Sequence, residues 1–300
     1  MTPKLTLGPV LAYWPKAKLD AFYAMIAAAP VDVVYLGEAV CSRRHEYRHG
    51  DWIATAERLA AAGKEVVLSA QALMESESDL KALRRLAANG RFLLEANDMG
   101  AVHVVAGQGP FVAGPHLNVY NAPTLAFLAG FGAVRWVPPV EMPRAALEAV
   151  LAGKPPAVAT ELFAWGRLPL AFSARCFTAR HYDLPKDDCR FRCLDHPDGL
   201  PLATREGEPF LVLNGIQTQS YRVQNLLPEL AAIRRLGIDA LRVSPQSEGT
   251  GEVIARFRAA LDGDDGAAGA GRLDALMPAP PCNGYWHGRP GQDFVAGAGA

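Results

Sequence analysis

The sequence predicts an α/β fold, a (β/α)8 TIM-like barrel, complete or distorted, in one domain over residues 1–300. Three observations predict it. Short runs rich in Val, Leu and Phe alternate with Ala- and Leu-rich helical stretches, as parallel strands joined by crossover helices do. Eight such runs occur, the strand number of a closed barrel. Half of the 300 residues are hydrophobic, enough to fill one large core. An open doubly wound sheet uses the same alternation and is the competing architecture.

The strands are expected at Leu5–Val10, Val31–Leu36, Glu65–Ser69, Phe92–Glu95, Phe111–Ala113, Val134–Val137, Ala157–Leu162 and, after a long gap, Ala240–Val243. Helical spacing falls between them at Ala17–Ala29, Trp52–Ala62, Ser78–Ala88, Ala122–Ala129 and Arg144–Leu151. The rhythm breaks after Ala164. Residues 165–210 form a Cys-rich insertion with Trp165, Pro169, Pro185, Pro197, Pro201 and three cysteines, and show no helix or strand period. A structureless stretch this long inside a compact fold carries function or is stapled by something. A barrel places it at the C-terminal mouth, where active sites form. Phe210–Leu213 and a helix around Leu226–Leu236 resume the fold. Residues 263–271, GDDGAAGAG, read as a flexible loop.

Thirty basic residues against thirty-one acidic ones give a net charge of -1. No long-range field therefore draws in nucleic acid or an anionic membrane. No apolar run reaches the roughly 20 residues of a membrane span. The first twenty residues, broken by Pro9, Pro15 and charges, read as a strand and turn rather than a secretory signal. The expected compartment is the cytoplasm.

Five cysteines, at 41, 176, 189, 193 and 282, are too few and too uneven for a disulfide scaffold. Cys176-x12-Cys189-x3-Cys193 reads as a metal site. One helical turn would put Cys189 and Cys193 on one face, and Cys176 would fold back through the Pro185 turn. A closed zinc site or a four-iron cluster needs a fourth thiolate. Cys41, just past Val31–Leu36, faces the same mouth in a barrel and is preferred to Cys282 in PPCNGYW. Thiol count does not separate zinc from iron, and buried free thiols are the plainer alternative.

His45-Glu46-Tyr47-Arg48-His49 is a literal H-E-x-x-H, the zinc-hydrolase spacing when it lies on a helix. Its flanks are charged and end in Gly50 and Asp51, which favours a loop. His116 and Asn118 follow Phe111–Ala113, Glu141 follows Val134–Val137, and Glu161 ends Ala157–Leu162. Polar groups at strand ends converge on one mouth, which makes His116, Asn118 and Glu141 candidates for acid/base steps. Helix caps or arginine pairs are the competing reading. Glu38, Arg43, Arg44 and Arg175 flank the cysteines. Arginines there could grip the carboxylates of an acidic ligand, making Glu38, Arg43 and Arg175 candidate substrate-binding residues, or offset thiolate charge. No phosphate loop, G-x-S-x-G elbow or dinucleotide fingerprint occurs.

The segments VYLGEAVCSRR (34–44), GPHLNVYN (114–121), LPLAFSARCFTAR (168–180), LNGIQT (213–218) and CNGYW (282–286) carry a resemblance, as does LGPVLAYWP (7–15). They resemble the UbiV branch of the collagenase-like peptidase superfamily, from about residue 5 to about residue 287. The resemblance implies a 4Fe-4S cluster on Cys41, Cys176, Cys189 and Cys193. It implies a heterodimer with a UbiU-like sister protein and a sterol-carrier-like lipid-binding accessory protein. The implied role is oxygen-independent ring hydroxylation in ubiquinone biosynthesis, with prephenate as the oxygen donor. It supplies no proteolytic residues and no H-E-x-x-H at 45–49. The rival readings are a collagenase-like peptidase, a zinc hydrolase using His45, Glu46 and His49, and a non-catalytic partner subunit.

Overall fold

Strands apolar on both faces build the centre of the molecule. In the computed structural model, which describes residues 2–264 and 273–296, they are β1 (Lys4–Leu7), β2 (Val33–Leu36), β3 (Glu65–Ser69), β4 (Leu93–Ala96), β5 (Phe111–Ala113), β6 (Ala133–Trp136) and β7 (Ala159–Phe172). After them come β8 (Leu200–Ala203), β9 (Pro209–Asn214), β10 (Gln217–Asn225), β11 (Ala240–Val243) and β12 (Pro281–Cys282). Strands β1 to β7 pair in sequence, and β11 pairs with both β1 and β7. The ring is closed and all its pairings are parallel. It is a (β/α)8 barrel, built from the eight expected runs.

Around it lie α1 (Lys16–Ala28), α2 (His49–Ala61), α3 (Glu77–Ala87), α4 (Met99–Val105), α5 (Ala122–Gly130), α6 (Arg144–Gly153), a short α7 (Phe177–His181), α8 (Leu230–Arg235) and α9 (Thr250–Leu261). Ser76, Asp98 and Asn121 cap α3, α4 and α5 by accepting from backbone N–H groups in the first turn. The main core, with Trp14, Ile26, Leu59, Phe111, Trp136 and Phe257, packs the helices against the outer faces of the strands. Val33, Tyr35, Val67, Val112 and Val137 form a second cluster within the barrel.

The long irregular insertion expected over 165–210 is largely ordered. β7 does not stop at Leu162 but runs on to Phe172, well beyond the barrel. Its bend passes through Gly166 at φ 127°, where an added Cβ would lie 2.5 Å from the Ser244 Cβ, so only glycine fits. The extension pairs antiparallel with β10, β10 with β9, and β9 with β8. Phe210–Leu213 therefore belongs to this side sheet rather than to the barrel. The helix expected at Leu226–Leu236 is a 3-10 turn, Leu227–Glu229, leading into α8. α4 and α9 lie outside the expected helices. Of the loop expected at 263–271, residues 265–271 lie outside the described residues.

Candidate functional site

The loop after β2 begins at Gly37. Its φ of 142° and an approach of 2.4 Å between a would-be Cβ and the Ser69 carbonyl demand glycine. This lets the chain turn over the end of β3. Glu38 Oε1 then accepts from the backbone N–H groups of Val40 (3.0 Å) and Cys41 (3.1 Å), which fixes the Cys41 backbone. Burial raises the Glu38 carboxyl, with Arg44 pulling it back.

The other three thiols come from the insertion. Cys176 caps α7, its sulfur accepting from Ala179 N–H at 3.4 Å. The turn between β9 and β10 docks α7: Phe177 N–H donates to Gly215 O (3.0 Å) and Gly215 N–H to Thr178 Oγ1 (2.9 Å). Cys189 and Cys193 do not share the helical turn expected of their spacing. Arg190 and Phe191 between them are left-handed, at φ 50° and 51°, and reverse the chain before a 3-10 turn over Arg192–Asp195. Trp14 Nε1 donates to Pro197 O at 2.7 Å and ties this segment to the barrel.

Cys41 and Cys176 pack against one apolar cluster with Leu11, Val40 and Ile216. Burial pushes the Cys193 thiol up to about 11; Arg44 opposes the rise, while Cys41, Cys176 and Cys189 add to it. Cys193 thus lies within the field of the other three. Cys282 packs elsewhere, with Phe163 and Leu168. All five cysteines are free thiols.

Arg44 organises this face. It is 4 % exposed. It donates to Leu11 O (2.7 Å), Asn214 Oδ1 (2.6 Å) and Glu38 Oε1 (3.4 Å), and its guanidinium also lies against Cys193. The buried Nε–H groups of Arg43 and Arg44 have no acceptor among the described residues. Arg43 is otherwise held by Asp187, through Oδ1 at 3.2 Å and the carbonyl at 2.5 Å. Arg175 is exposed.

Among the described residues, no three His, Cys, Asp or Glu side chains are grouped to hold one metal ion. A four-iron cube is wider than an ion and spreads its thiolates farther apart. The chemistry of the donor set fits such a cube: four free thiols without a disulfide, beside two buried N–H donors that lack acceptors. Cluster sulfur accepts such N–H bonds.

His116, Asn118 and Glu141 line one cavity of about 220 Å³ with Val140 and Phe172. The His116 ring meets Phe172 edge-on at 4.7 Å. Burial, with the nearby Arg242 charge, pushes its imidazole down to about 4, so it is neutral near pH 7. Tyr120 Oη donates to Glu141. Asn118 is left-handed at φ 55° and exposed.

Glu161 is not at this mouth. It is fully buried inside the barrel, accepting from Thr6 Oγ1 (2.7 Å), Tyr35 Oη (2.5 Å) and Arg242 Nε (2.6 Å). Arg242 also pairs with Glu95 at 2.8 Å. Arg135 joins Tyr35 (3.1 Å) to Glu65 (2.6 Å). Sequence reasoning does not single out Asn214, Glu95, Arg135 or Arg242. A lone charge inside an apolar strand, as in AVRW and ALRV, is the signal that could have found the two strand arginines.

The H-E-x-x-H straddles the start of α2. Only His49 belongs to the helix; His45 is exposed, and Glu46 accepts from the Lys16 N–H at 2.8 Å. Among the described residues no helix is long and apolar enough to cross a membrane.

The fold and site define a (β/α)8 barrel with a thiol-lined face beside its C-terminal mouth. The chain matches the model of peptidase family U32 over residues 17–293 and belongs to that family. Among solved structures it is similar to an uncharacterized B. cereus protein, with 14% identity, a TM-score of 0.36 and 85% of this chain covered. The chain spans 65% of that protein's length. It is also similar to dihydropteroate synthase from Thermus thermophilus in complex with 6HMPPP, at 15% identity, TM-score 0.39, covering 86% of this chain and 94% of that one.

Proposed function

We propose that the chain is the iron–sulfur subunit of a UbiU–UbiV-type complex that supports oxygen-independent ring hydroxylation in ubiquinone biosynthesis. The observation that supports this reading is that Cys41, Cys176 and Cys189 all act on the buried Cys193 thiol, with Arg44 beside Cys193 and Cys41. They would hold a 4Fe-4S cluster. Four thiolate ligands leave no open iron position, so the group would supply electron transfer or hold the insertion in place.

The neighbouring cavity would take the small polar reactant, with prephenate as the oxygen donor. His116, kept neutral, is the proton acceptor there. Glu141, steadied by Tyr120, and Asn118 orient the reactant. Glu38 and Arg43 shape the thiol loops. Arg175, exposed beside Cys176, is the residue of that trio best placed to meet a carboxylate. A UbiU-like sister protein and a sterol-carrier-like lipid-binding accessory protein complete the assembly.

The family name raises a peptidase reading. It has less support here, because among the described residues no histidine side chain bonds a serine, threonine or cysteine. Anaerobic purification tests both readings. The expected product is brown and carries about four irons and four sulfides per chain. Colourless protein that takes up no iron on anaerobic reconstitution would refute the proposal; peptide cleavage by that protein would establish the alternative.

A further inference from the structure

The ring of helices opens between α2 and α3. α2 packs on α1 and α3 on α4, whereas α2 and α3 make little contact with each other. A cavity of about 500 Å³ fills the gap, within the range of sites for small organic ligands. Its walls are mainly apolar, with Trp52, Met74, Leu83 and Leu86. The Trp52 wall is preformed: Tyr47 and Tyr23 meet it edge-on at 4.8 and 6.3 Å.

The rim is basic. It carries Arg48 and Arg85, with His45 and His49 beside them. Burial, and then the charge of Arg85, lowers the His49 imidazole, which places that arginine close to the start of α2. Neither arginine comes within ion-pair distance of a carboxylate among the described residues, although the Asp51 carboxylate feels the charge of Arg48 from the first turn of α2. The carboxylates in the wall are already engaged. Glu38 is held by two amides and Arg44, and Asp79 accepts from the Glu75 N–H at 3.0 Å. Glu46 is absent from the lining and accepts from the Lys16 N–H. The H-E-x-x-H segment thus turns its basic residues towards the cavity and its acid away.

We infer that this cavity binds a monocarboxylate with an apolar body. The body lies against Trp52, Met74, Leu83 and Leu86, and the carboxylate meets Arg48 and Arg85. An apolar molecule with no charge would leave both guanidiniums unused, whereas a carboxylate is an anion that their planar fork matches. An aryl and an alkyl body satisfy the same walls. No cysteine lines the cavity, so the inference stands apart from the thiol reading.

Calorimetric titration of the full chain with 4-butylbenzoate, octanoate and 1-octanol tests it. One of the carboxylates is expected to bind one-to-one, about tenfold or more tighter than octanol. The tighter carboxylate identifies the body as aryl or alkyl. The double variant Arg48→Glu/Arg85→Glu, both exposed positions, should weaken the carboxylate about tenfold or more and leave octanol unchanged. Ala82→Trp, at an exposed wall position, should abolish binding of all three by filling the space. Absence of carboxylate binding, octanol binding as tight as the carboxylates, or an unaltered affinity in the double variant would each overturn the inference.

Discussion

The barrel interior and the thiol face gather buried polar groups in opposite ways. Inside, Arg242 bridges Glu95 and Glu161, and Arg135 bridges Tyr35 and Glu65. Each buried cation meets an acid supplied by another strand of the same barrel. At the thiol face, three cysteines act on Cys193 while the Arg43 and Arg44 Nε–H groups have no acceptor among the described residues. The first arrangement neutralises its buried charges within the chain, leaving Arg242 Nη2 without an acceptor among the described residues, and the second leaves two guanidinium N–H groups beside free thiols. Buried polar residues in the same molecule therefore differ in what they meet, opposite charges inside the barrel and thiols at the insertion.

The largest effect that could break this contrast lies at the thiol face. Replacing Cys189 by alanine should reduce iron from about four per anaerobically prepared chain to near zero. Iron and sulfide analysis reads it directly, and a full complement of iron in the variant would remove Cys189 from the ligand set. Inside the barrel the cost should appear as stability instead. Arg242→Met strands Glu95 and Glu161 in a dry environment, and a buried pair broken on one side costs about 3–5 kcal/mol. Urea unfolding of wild type and variant measures it. A loss below about 1 kcal/mol would mean that water reaches these carboxylates.

A smaller effect sits between the two regions, at His116. An unfolded chain takes up a proton on this imidazole near pH 6.5, while the folded chain refuses it until about pH 4. Protonation therefore favours the unfolded state as the pH drops. Full stability is present above about pH 6.5, and up to about 3 kcal/mol is lost on the way to pH 4. His116→Phe, which keeps a ring against Phe172, should flatten that decline. Urea midpoints at pH 7 and pH 4.5 decide it, and an equal decline in both proteins would reassign the proton.

Much of the barrel was legible because each strand is a short apolar run bounded by a change of period. Glu65–Ser69, Phe111–Ala113 and Ala240–Val243 begin and end where their residues say they should. The side sheet was not legible. Proline at 169 and glycine at 166 look like strand breakers, yet they lie where β7 leaves the ring and pairs irregularly with β10. The placement of Cys41 beside the insertion followed from strand direction alone. The local path from Cys189 to Cys193 did not, since Arg190 and Phe191 are left-handed, a conformation that such residues do not favour intrinsically. The internal ion network was hidden for a related reason. A charge in a strand reads as outward-facing until the partner strands that neutralise it are known.

The smallest expected effect sharpens the contrast by exclusion. Cys282 is buried with no exposed surface, packed on Phe163 and Leu168. Burial pushes its thiol up to about 12, with no other cysteine contributing to the rise, whereas three cysteines contribute at Cys193. Cys282→Ala should leave the iron content unchanged and cost about 1 kcal/mol through the small void it creates. Iron analysis and urea unfolding of this one variant together test both halves of the statement. Loss of iron with stability retained would bring the tail into the ligand set and displace one of the four thiols. Loss of stability alone confirms that residue 282 is packing, and that the cluster, if present, is held by residues from the β2 loop and the insertion.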